Sequence, residues 1–278
     1  MITVHDNEKY RHTHFDTVDD LLQAEVPSCN ADQLHEIMHN FNGRPNWFGI
    51  GRNSSDVLNA VRYGWKEGYE KARVLVDTFE VPRLQGVRRR KKRGAFGNEL
   101  DIHRVYSGNL DTAWTTTYRE TSTSIGSHSA TVVVELATSS GVEASAAFWR
   151  GAAATMLVDM LQQSGRNVRV IGLNTATHVY KTDPREMKNC QSVILKDYLQ
   201  PLDMDLLMTC TSVGFNRTLM FKAKMVGTHE VYSGLGHPVL NFLPEHLQDG
   251  SRMIRVENIW SRSEAERKLA QVVQEMEK

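Results

Sequence analysis

The chain contains 278 residues, of which 40% are hydrophobic and 24% are charged, and its 33 Lys and Arg residues balance its 33 Asp and Glu residues. A net charge of zero excludes an overall electrostatic field that would favour nucleic acid, membrane surfaces or acidic partners, so any such preference must arise locally. The three cysteines are odd in number and widely spaced, which argues against a disulfide framework or a Cys-rich zinc site and fits a reducing cytoplasm.

The part of the chain before residue 80 predicts helices separated by polar turns. Apolar residues recur there at helical spacing in four segments. Ser54 and Ser55 are candidate N-caps for the third helix, because a serine side chain can accept a hydrogen bond from a free backbone N–H. The predicted helices are Val18–Glu25, Ala31–His39, Asp56–Tyr63 and Lys66–Phe79.

The second predicted helix contains a motif that resembles a zinc site. Its sequence His35-Glu36-Ile37-Met38-His39 matches His-Glu-x-x-His, in which two histidines one turn apart bind zinc and the glutamate activates water. A third ligand is also needed, but Gly43 falls one place late for the usual extension of this motif. We therefore interpret His35 and His39 as solvated histidines on a surface helix, and a zinc-dependent hydrolase with Glu36 as the base stays an alternative.

A concentrated basic segment follows the predicted helices. Arg83–Arg93 has seven basic residues in eleven positions and shows no helical period or apolar stripe, so we predict a surface loop or an extended arm. Phosphate backbones favour such a patch because binding releases counterions, and nearby rings such as Phe96 could stack on unpaired bases. The candidate nucleic-acid contacts are Arg88, Arg89, Arg90, Lys91, Lys92 and Arg93.

The chain then leads into a predicted β–α–β unit. A short helix at Glu99–Tyr106 and a strand at Ala113–Arg119 come first. Thr131–Leu136 is a β-branched run typical of a strand buried on both faces, and apolar residues recur four apart along Ser145–Ser164 as in a helix. Asn167–Gly172 returns as a second strand after a glycine stop. Because such crossovers join parallel strands, we predict a sheet that is parallel at its centre.

The polar turn between that strand and that helix is a candidate ligand site, because ligands of doubly wound folds bind at the carboxyl ends of the strands. Thr138, Ser139 and Ser140 supply hydroxyl groups there. The unit resembles the first unit of a von Willebrand factor A domain, whose turn carries an Asp-x-Ser-x-Ser metal motif. Ala137 and Gly141 stand at two of the matching positions, so the carboxylate and one hydroxyl are absent, and we expect no tightly bound divalent cation.

The last third of the chain predicts three more strands and two helices. The final helix begins at Ser263, where a Ser-x-x-Glu spacing is typical of a capping box. A short helix is predicted at Asp203–Met208. The predicted strands are Ser192–Lys196, Thr218–Met225 and Met253–Glu257.

Several sequence blocks together resemble a family of tailed-bacteriophage proteins of unknown function. The most distinctive block contains Phe-Gly-x-Glu-Leu-Asp-Ile, and the resemblance spans most of the chain. It implies a phage protein made in the host cytoplasm, with a von Willebrand A-like second half, and it implies no reaction. The blocks are Trp47, Gly64–Gly68, Gly94–His103, Leu110–Trp114 and Lys196–Asp203.

We therefore predict an α/β protein with a helical N-terminal region at 1–94, ending in a basic loop, and a degenerate von Willebrand A-like domain at 95–278. That domain would hold a doubly wound, mostly parallel sheet. We expect a non-enzymatic binding protein that engages a phage or host protein or nucleic acid and needs no cofactor. A single-stranded DNA- or RNA-binding factor that uses residues 88–93 is one alternative. No apolar run reaches membrane length and the start is not a signal peptide, so we expect no membrane partner.

Overall fold

The computed structural model describes residues 1–6, 10–40, 45–76, 78–79, 89–96, 99–119, 129–180, 183–226 and 243–276. Arg88 of the basic segment and Gly43 lie outside the described residues. Within the described stretches, no helix is both long and apolar enough to cross a membrane.

The chain begins with a β-hairpin and continues as helices. Strand β1 (Ile2–Asp6) pairs antiparallel with β2 (Tyr10–Phe15). The sequence analysis missed this hairpin, because the buried positions of β2 hold polar residues such as His12 and Thr13 and so hide the alternation of a half-buried strand. The helices that follow include all four predicted ones: α1 (Val18–Gln23), α2 (Ser28–Asn40), α3 (Pro45–Phe48), α4 (Ser54–Tyr63) and α5 (Lys66–Val76).

The N-cap of α4 differs from the predicted one. Asn53, rather than Ser54 or Ser55, accepts a hydrogen bond from the backbone N–H of Asp56 at 2.9 Å, and the Asp56 carboxylate accepts from the Asn53 N–H at 3.2 Å. This reciprocal pair is a capping box, which satisfies two backbone donors at once.

The basic segment belongs to a small sheet of three strands. Strand β3 (Arg89–Gly94) pairs antiparallel with β5 (Trp114–Arg119), which also pairs with the short β4 (Glu99–Leu100), and helix α6 (Ile102–Tyr106) lies between β4 and β5 in the chain. The prediction of a basic loop is therefore wrong for residues 89–93. A charged strand is stable at a sheet edge, where lysine and arginine also discourage pairing with other chains.

The predicted β–α–β unit is confirmed. Strand β6 (Ser129–Glu135), helix α7 (Ala144–Gln163) and strand β7 (Asn167–Tyr180) follow one another, and β6 and β7 are parallel. Gly165 ends the helix in the left-handed region at φ +89°, and the N–H of Arg166 donates to the Leu161 carbonyl at 3.1 Å. This arrangement satisfies the last carbonyls of α7.

The next segment is helical where a strand was predicted. Strand β8 (Asp183–Lys196) is followed by α8 (Met204–Cys210), α9 (Val213–Phe215), a π-helical stretch at Asn216–Met220, and α10 (Phe221–Val226). The predicted strand at Thr218–Met225 is therefore wrong. Phe221, Ala223 and Met225 alternate with lysines as in a strand, but Leu219, Met220 and Ala223 pack into the main core from one helical face. Tertiary packing overrides the local pattern here.

The chain ends with a strand and an amphipathic helix, as predicted. Strand β9 is Arg252–Val256, and α11 (Arg262–Met276) buries Leu269, Val272 and Val273. The backbone N–H of Glu264 donates to the Ser261 side chain at 3.3 Å, so the cap lies two residues before the predicted Ser263.

The main sheet has six strands in the order β1-β2-β8-β7-β6-β9. Strand β6 is parallel to both β7 and β9, and β2 is parallel to β8, whereas the pairs β1–β2 and β7–β8 are antiparallel. The α/β class is confirmed, but the sheet is mixed, and its middle pair β8–β7 is antiparallel rather than parallel as predicted. The boundary at residue 94 stays a prediction, although the first fifteen residues contribute two strands to this sheet.

One face of the sheet forms the main hydrophobic core with α7 and α11. Val132, Val134 and Val170 from the sheet and Leu157 and Leu161 from α7 are all fully buried. Because most of α7 is enclosed, the only charged residue between Ala144 and Val158 must find its partners inside the protein.

Candidate functional site

The turn that follows β6 is filled by an arginine side chain. Arg150 lies in the second turn of α7 and is 1% exposed. Its Nη1 donates to the Ala137 carbonyl at 3.0 Å, and its Nη2 donates to the Leu136 carbonyl at 2.9 Å and to Thr138 Oγ1 at 2.7 Å. The guanidinium group therefore occupies the oxygen atoms that a ligand in this turn would use.

A second arginine holds the other side of the same turn. Arg217, in the π-helical stretch, donates from Nη2 to the carbonyls of Ser139 at 3.0 Å and Val142 at 2.8 Å. Its Nη1 donates to the Trp47 carbonyl at 2.6 Å, and its guanidinium carbon lies 4.0 Å from the centre of the Trp47 ring. A single π-helical turn often marks a specialised position, and here it carries the arginine that ties α3 to the turn.

These contacts decide whether the turn fits a divalent cation. Thr138 is buried and bonded to Arg150, Ser139 is half-buried, and Ser140 is exposed. Two guanidinium groups already provide the positive charge that a metal would supply, and no carboxylate lies in the turn. The residues therefore do not fit magnesium, which needs several oxygen ligands in octahedral array. These contacts support the prediction that the turn binds no divalent cation tightly, which stays to be tested.

A buried carboxyl group lies at the end of β6 beside this turn. Glu135 Oε1 accepts from the backbone N–H groups of Ala137 at 3.1 Å and Thr175 at 3.2 Å, and Oε2 accepts from Thr175 Oγ1 at 3.0 Å. Burial raises the pKa of Glu135 to about 7, against the opposing effect of these hydrogen bonds and of the Arg150 charge. Burial likewise lowers the pKa of Arg150 to about 10, so its guanidinium stays charged at neutral pH.

A buried lysine completes this group of charges. Lys224 on α10 is fully buried, and burial lowers the pKa of its ammonium group to about 7, which the negative charge of Glu135 opposes. A carboxyl with a pKa near neutrality can act as a general acid or base. Glu135 is only 2% exposed, however, and its three hydrogen bonds go to the protein itself, so the geometry supports a structural role.

The basic strand places its residues in two rows. Successive residues of a strand fall on opposite faces, so Arg89, Lys91 and Arg93 share one row and Arg90 and Lys92 the other. The order β3-β5-β4 puts β3 at an edge of the small sheet. Its register partners on β5 are, from Arg89 to Gly94, Arg119, Tyr118, Thr117, Thr116, Thr115 and Trp114. The pair of strands β3 and β5, here called the basic ribbon, thus combines cations, hydroxyl residues and two aromatic residues.

The zinc-like motif lies on α2, as predicted. His35, Glu36 and His39 are all exposed, and the two imidazole ring centroids are 4.1 Å apart. Among the residues that the structure describes, no group of three His, Cys, Asp or Glu side chains is arranged to hold a metal ion. No contact of α2 favours the hydrolase alternative over the solvated histidines, and the motif stays a prediction to be tested.

A groove of about 570 Å³ lies where β2 and β8 end. Its floor is apolar, with Leu22, Val61 and Leu202 among the lining residues. Lys196 also lines it, but its ammonium group donates to the Val168 carbonyl at 2.7 Å and so serves the fold. The groove is a candidate ligand site by position, and its polar groups indicate no specific ligand.

The sequence analysis named the turn but missed the residues that control it. Arg150, Arg217 and Lys224 were not selected, and Glu135 was considered only as part of a strand. One signal was available for Arg150, because a lone charge in a long apolar helix must be paired when that helix is buried. No comparable signal existed for Arg217 or Lys224. Apolar residues and lysines alternate around Lys224 as in a strand, and Arg217 lies just before that segment.

Comparison with known protein families gives a match over nearly the whole chain. A family model described as a domain of unknown function, DUF7192, matches residues 5–278. No curated protein and no solved structure matched the chain. The described fold, with its hairpin, basic ribbon and arginine-filled turn, therefore belongs to a member of the DUF7192 family.

Proposed function

We propose that this protein binds nucleic acid through strand β3. The observation that carries the proposal is that five consecutive basic residues, Arg89–Arg93, form an edge strand of a three-stranded sheet. An edge strand has a neighbour on one side only, so a long polyanion can approach it along its length. Arginine and lysine bind phosphates through charge-assisted hydrogen bonds.

The neighbouring strand supports the same function. Threonines at 115, 116 and 117 of β5 lie opposite cations of β3 in the register, and hydroxyl groups commonly donate to phosphate oxygens. Trp114 and Tyr118 belong to the row that includes Arg90 and Lys92, and aromatic rings among cations are typical of surfaces that bind unpaired bases. We therefore favour single-stranded DNA or RNA as the ligand.

The rest of the molecule fits a non-enzymatic role. The charged residues at the end of β6 are engaged with the protein, and the turn beside them is filled by Arg150. We propose that this α/β body is a degenerate von Willebrand A-like scaffold and that the protein acts in the host cytoplasm during phage infection. The sequence blocks that resemble tailed-phage proteins support the latter point.

The test measures binding of fluorescent oligonucleotides, both single-stranded and duplex, at increasing salt. The logarithm of the affinity should fall linearly with the logarithm of the salt concentration, with a slope of roughly −0.7 per contacted phosphate for single strands. Replacing Arg89, Lys91 and Arg93 by serine should weaken binding to all sequences alike, because phosphate contacts carry no sequence information.

A matched control removes three exposed cations elsewhere. Arg62, Lys66 and Arg73 on α4 and α5 are exposed, and their replacement by serine removes the same total charge. This control should bind almost as well as wild type. If wild type does not bind at low salt, or if both triple variants lose affinity equally, β3 is not the nucleic-acid site and a protein partner becomes the better hypothesis.

A further inference from the structure

Four histidines gather where the N-terminal hairpin meets the segment before β9. His5 on β1 and His12 on β2 face each other in the strand register, with ring centroids 6.0 Å apart and planes 11° apart. His246 lies against both rings, with its centroid 4.2 Å from that of His5 and 4.6 Å from that of His12. His14 lies two residues beyond His12, at a centroid distance of 5.9 Å.

The central ring of this histidine cluster (His5, His12, His14 and His246) is that of His12, which is shielded from solvent. His12 is fully buried, and its Nε2 shares a hydrogen bond with Ser192 Oγ at 2.7 Å. Its Nδ1 is buried and has no hydrogen-bond partner among the residues that the structure describes. A second proton on this ring would therefore place both a charge and an unpaired N–H in a low-dielectric interior, which costs far more than it does in water.

Ser192 adds a second constraint on protonation. Its Oγ lies 2.7 Å from His12 Nε2 and 2.6 Å from His14 Nδ1, so one hydroxyl serves two imidazole rings. The hydroxyl has a single proton and can donate to only one of them, so the other ring must be the donor. When both rings are protonated, neither nitrogen can accept, and the hydroxyl proton loses its partner.

The charges around the cluster do not neutralise four imidazolium groups. Asp16 lies 3.4 Å from His14 Nε2, but it also lies 3.4 Å from the N-terminal amino group. Arg169 on β7 opposes a charge on His14. Cys190 on β8 pairs with His12 in the register, and burial raises the pKa of its thiol well above the usual range, so it stays neutral. The charged groups that influence Cys190 from farther away are Glu135 on β6, Arg255 on β9 and Lys224 on α10.

The segment that carries His246 is attached to the sheet beside the cluster. Leu247 is buried against Val133, Ile171 and Leu173 on the same face of the sheet. The contact between His246 and the hairpin therefore joins residues 243–251 to β1 and β2. We propose that the histidine cluster is an acid-sensitive clasp, which holds these two segments together at neutral pH and loosens when its rings gain protons.

The direction of the pH dependence follows from the environment of each ring. Burial, together with the neighbouring histidines, lowers the pKa of His12 from 6.5 to about 3, and burial also lowers the pKa of His14 and of His246. A histidine whose pKa is lowered in the folded state binds a proton more readily once its segment has detached from the fold, so acid favours the detached state. The clasp is therefore complete above the ordinary pKa of 6.5 and weakens as the pH falls toward about 3.

The experiment compares amide hydrogen exchange at about pH 7.5 and about pH 5, a range that spans the ordinary pKa of histidine. Glu135 and Lys224, whose pKa values are about 7, also titrate in this range, but they are present in wild type and in every variant, so the comparison between proteins isolates the histidines. After correction for intrinsic exchange rates, protection in the wild-type protein should fall at the lower pH in Ile2–Phe15 and in 243–251, while β6 and β7 stay protected. The double variant His5→Gln and His246→Gln, in which both replaced residues are exposed, should lose much less protection there. The buried His12 is left in place so that the core can form.

A matched control replaces His35 and His39, the exposed pair on α2, by glutamine. This variant should show the same acid response as wild type. Equal acid sensitivity in the His5/His246 variant, or a loss of protection spread evenly over the whole sheet, would overturn the proposal. Stoichiometric zinc that raised the melting temperature of wild type but not of the His5/His246 variant would also overturn it and would assign the cluster to metal binding.

Discussion

Two regions of this molecule use arginine in opposite ways. In the turn after β6, Arg150 and Arg217 are each 1% exposed and donate to the backbone carbonyls of the turn. In strand β3, by contrast, the cations form an edge strand in a chain whose net charge is zero. A run of charges is conspicuous in a sequence, but we expect the isolated arginine within an apolar helix to contribute more to the fold, because a buried charge needs partners inside the protein.

The largest expected effect separates these two uses. Replacing Arg150 with methionine keeps much of its volume but removes the donor to the Ala137 carbonyl and to Thr138 Oγ1, and leaves the Leu136 carbonyl with only its hydrogen bond from Thr138. We expect a loss of about 3–5 kcal/mol in the free energy of unfolding, as when one partner of a buried charged network is removed. Urea denaturation measures the loss, with the exposed Arg267→Met as the control. A loss no larger than that of the control would show that the turn does not depend on Arg150.

The next effect concerns the buried carboxyl beside Arg150. The pKa of Glu135 is raised from 4.5 to about 7, so its contribution to stability is complete below pH 4.5 and is lost as the pH rises through about 7. Glu135→Gln imitates the protonated form and should remove this loss. The free energy of unfolding of the variant minus that of wild type should therefore be roughly 3 kcal/mol larger at about pH 8 than at about pH 4.5. Parallel stability curves for the two proteins would contradict the raised pKa.

The basic strand should behave in the opposite manner to Arg150. We propose that these cations act on a ligand rather than on the fold, so serine at Arg89, Lys91 and Arg93 should change the free energy of unfolding by only about 0.5 kcal/mol. The same urea titration measures it. A loss of several kcal/mol would show that these cations are structural, and the contrast with Arg150 would then fail.

The smallest expected effect is the response of the turn to divalent cations. Magnesium or manganese should leave the melting temperature unchanged, because the guanidinium of Arg150 already occupies the turn oxygens. Calorimetry provides a direct check. Micromolar affinity that disappears in Ser139→Ala would contradict this prediction and restore a working metal motif.

The zinc-like motif is expected to give an equally small response. His35 and His39 should not retain zinc, since the described residues provide no third ligand for them. Elemental analysis of the purified protein tests this directly. About one zinc per chain, removed by His39→Ala, would instead favour the hydrolase alternative.

The sequence predicts those elements in which the local pattern and the burial agree. The run Thr131–Leu136 and the stripe of α7 are apolar where the fold is buried, so β6 and α7 could be found. Strand β2 and helix α10 could not, because His12 and Lys224 are polar residues at fully buried positions. Their environment is produced by residues far away in the chain. The polar turn was predicted from its own residues and its position after β6, but its arginines could be assigned only once α7, the π-helical stretch and the turn were placed together.

The position of β2 in the sheet has a consequence for how this chain is made. Strand β2 is the parallel neighbour of β8, and the hydrogen bond between His12 and Ser192 joins residues 180 apart in sequence. At a synthesis rate of about 5–20 residues per second, the hairpin would leave the ribosome roughly 10–40 s before its partner strand. During that interval β2 presents an unpaired edge, which favours pairing with another chain. The interval of translation, rather than the stability of the finished sheet, thus sets the greatest risk of misfolding.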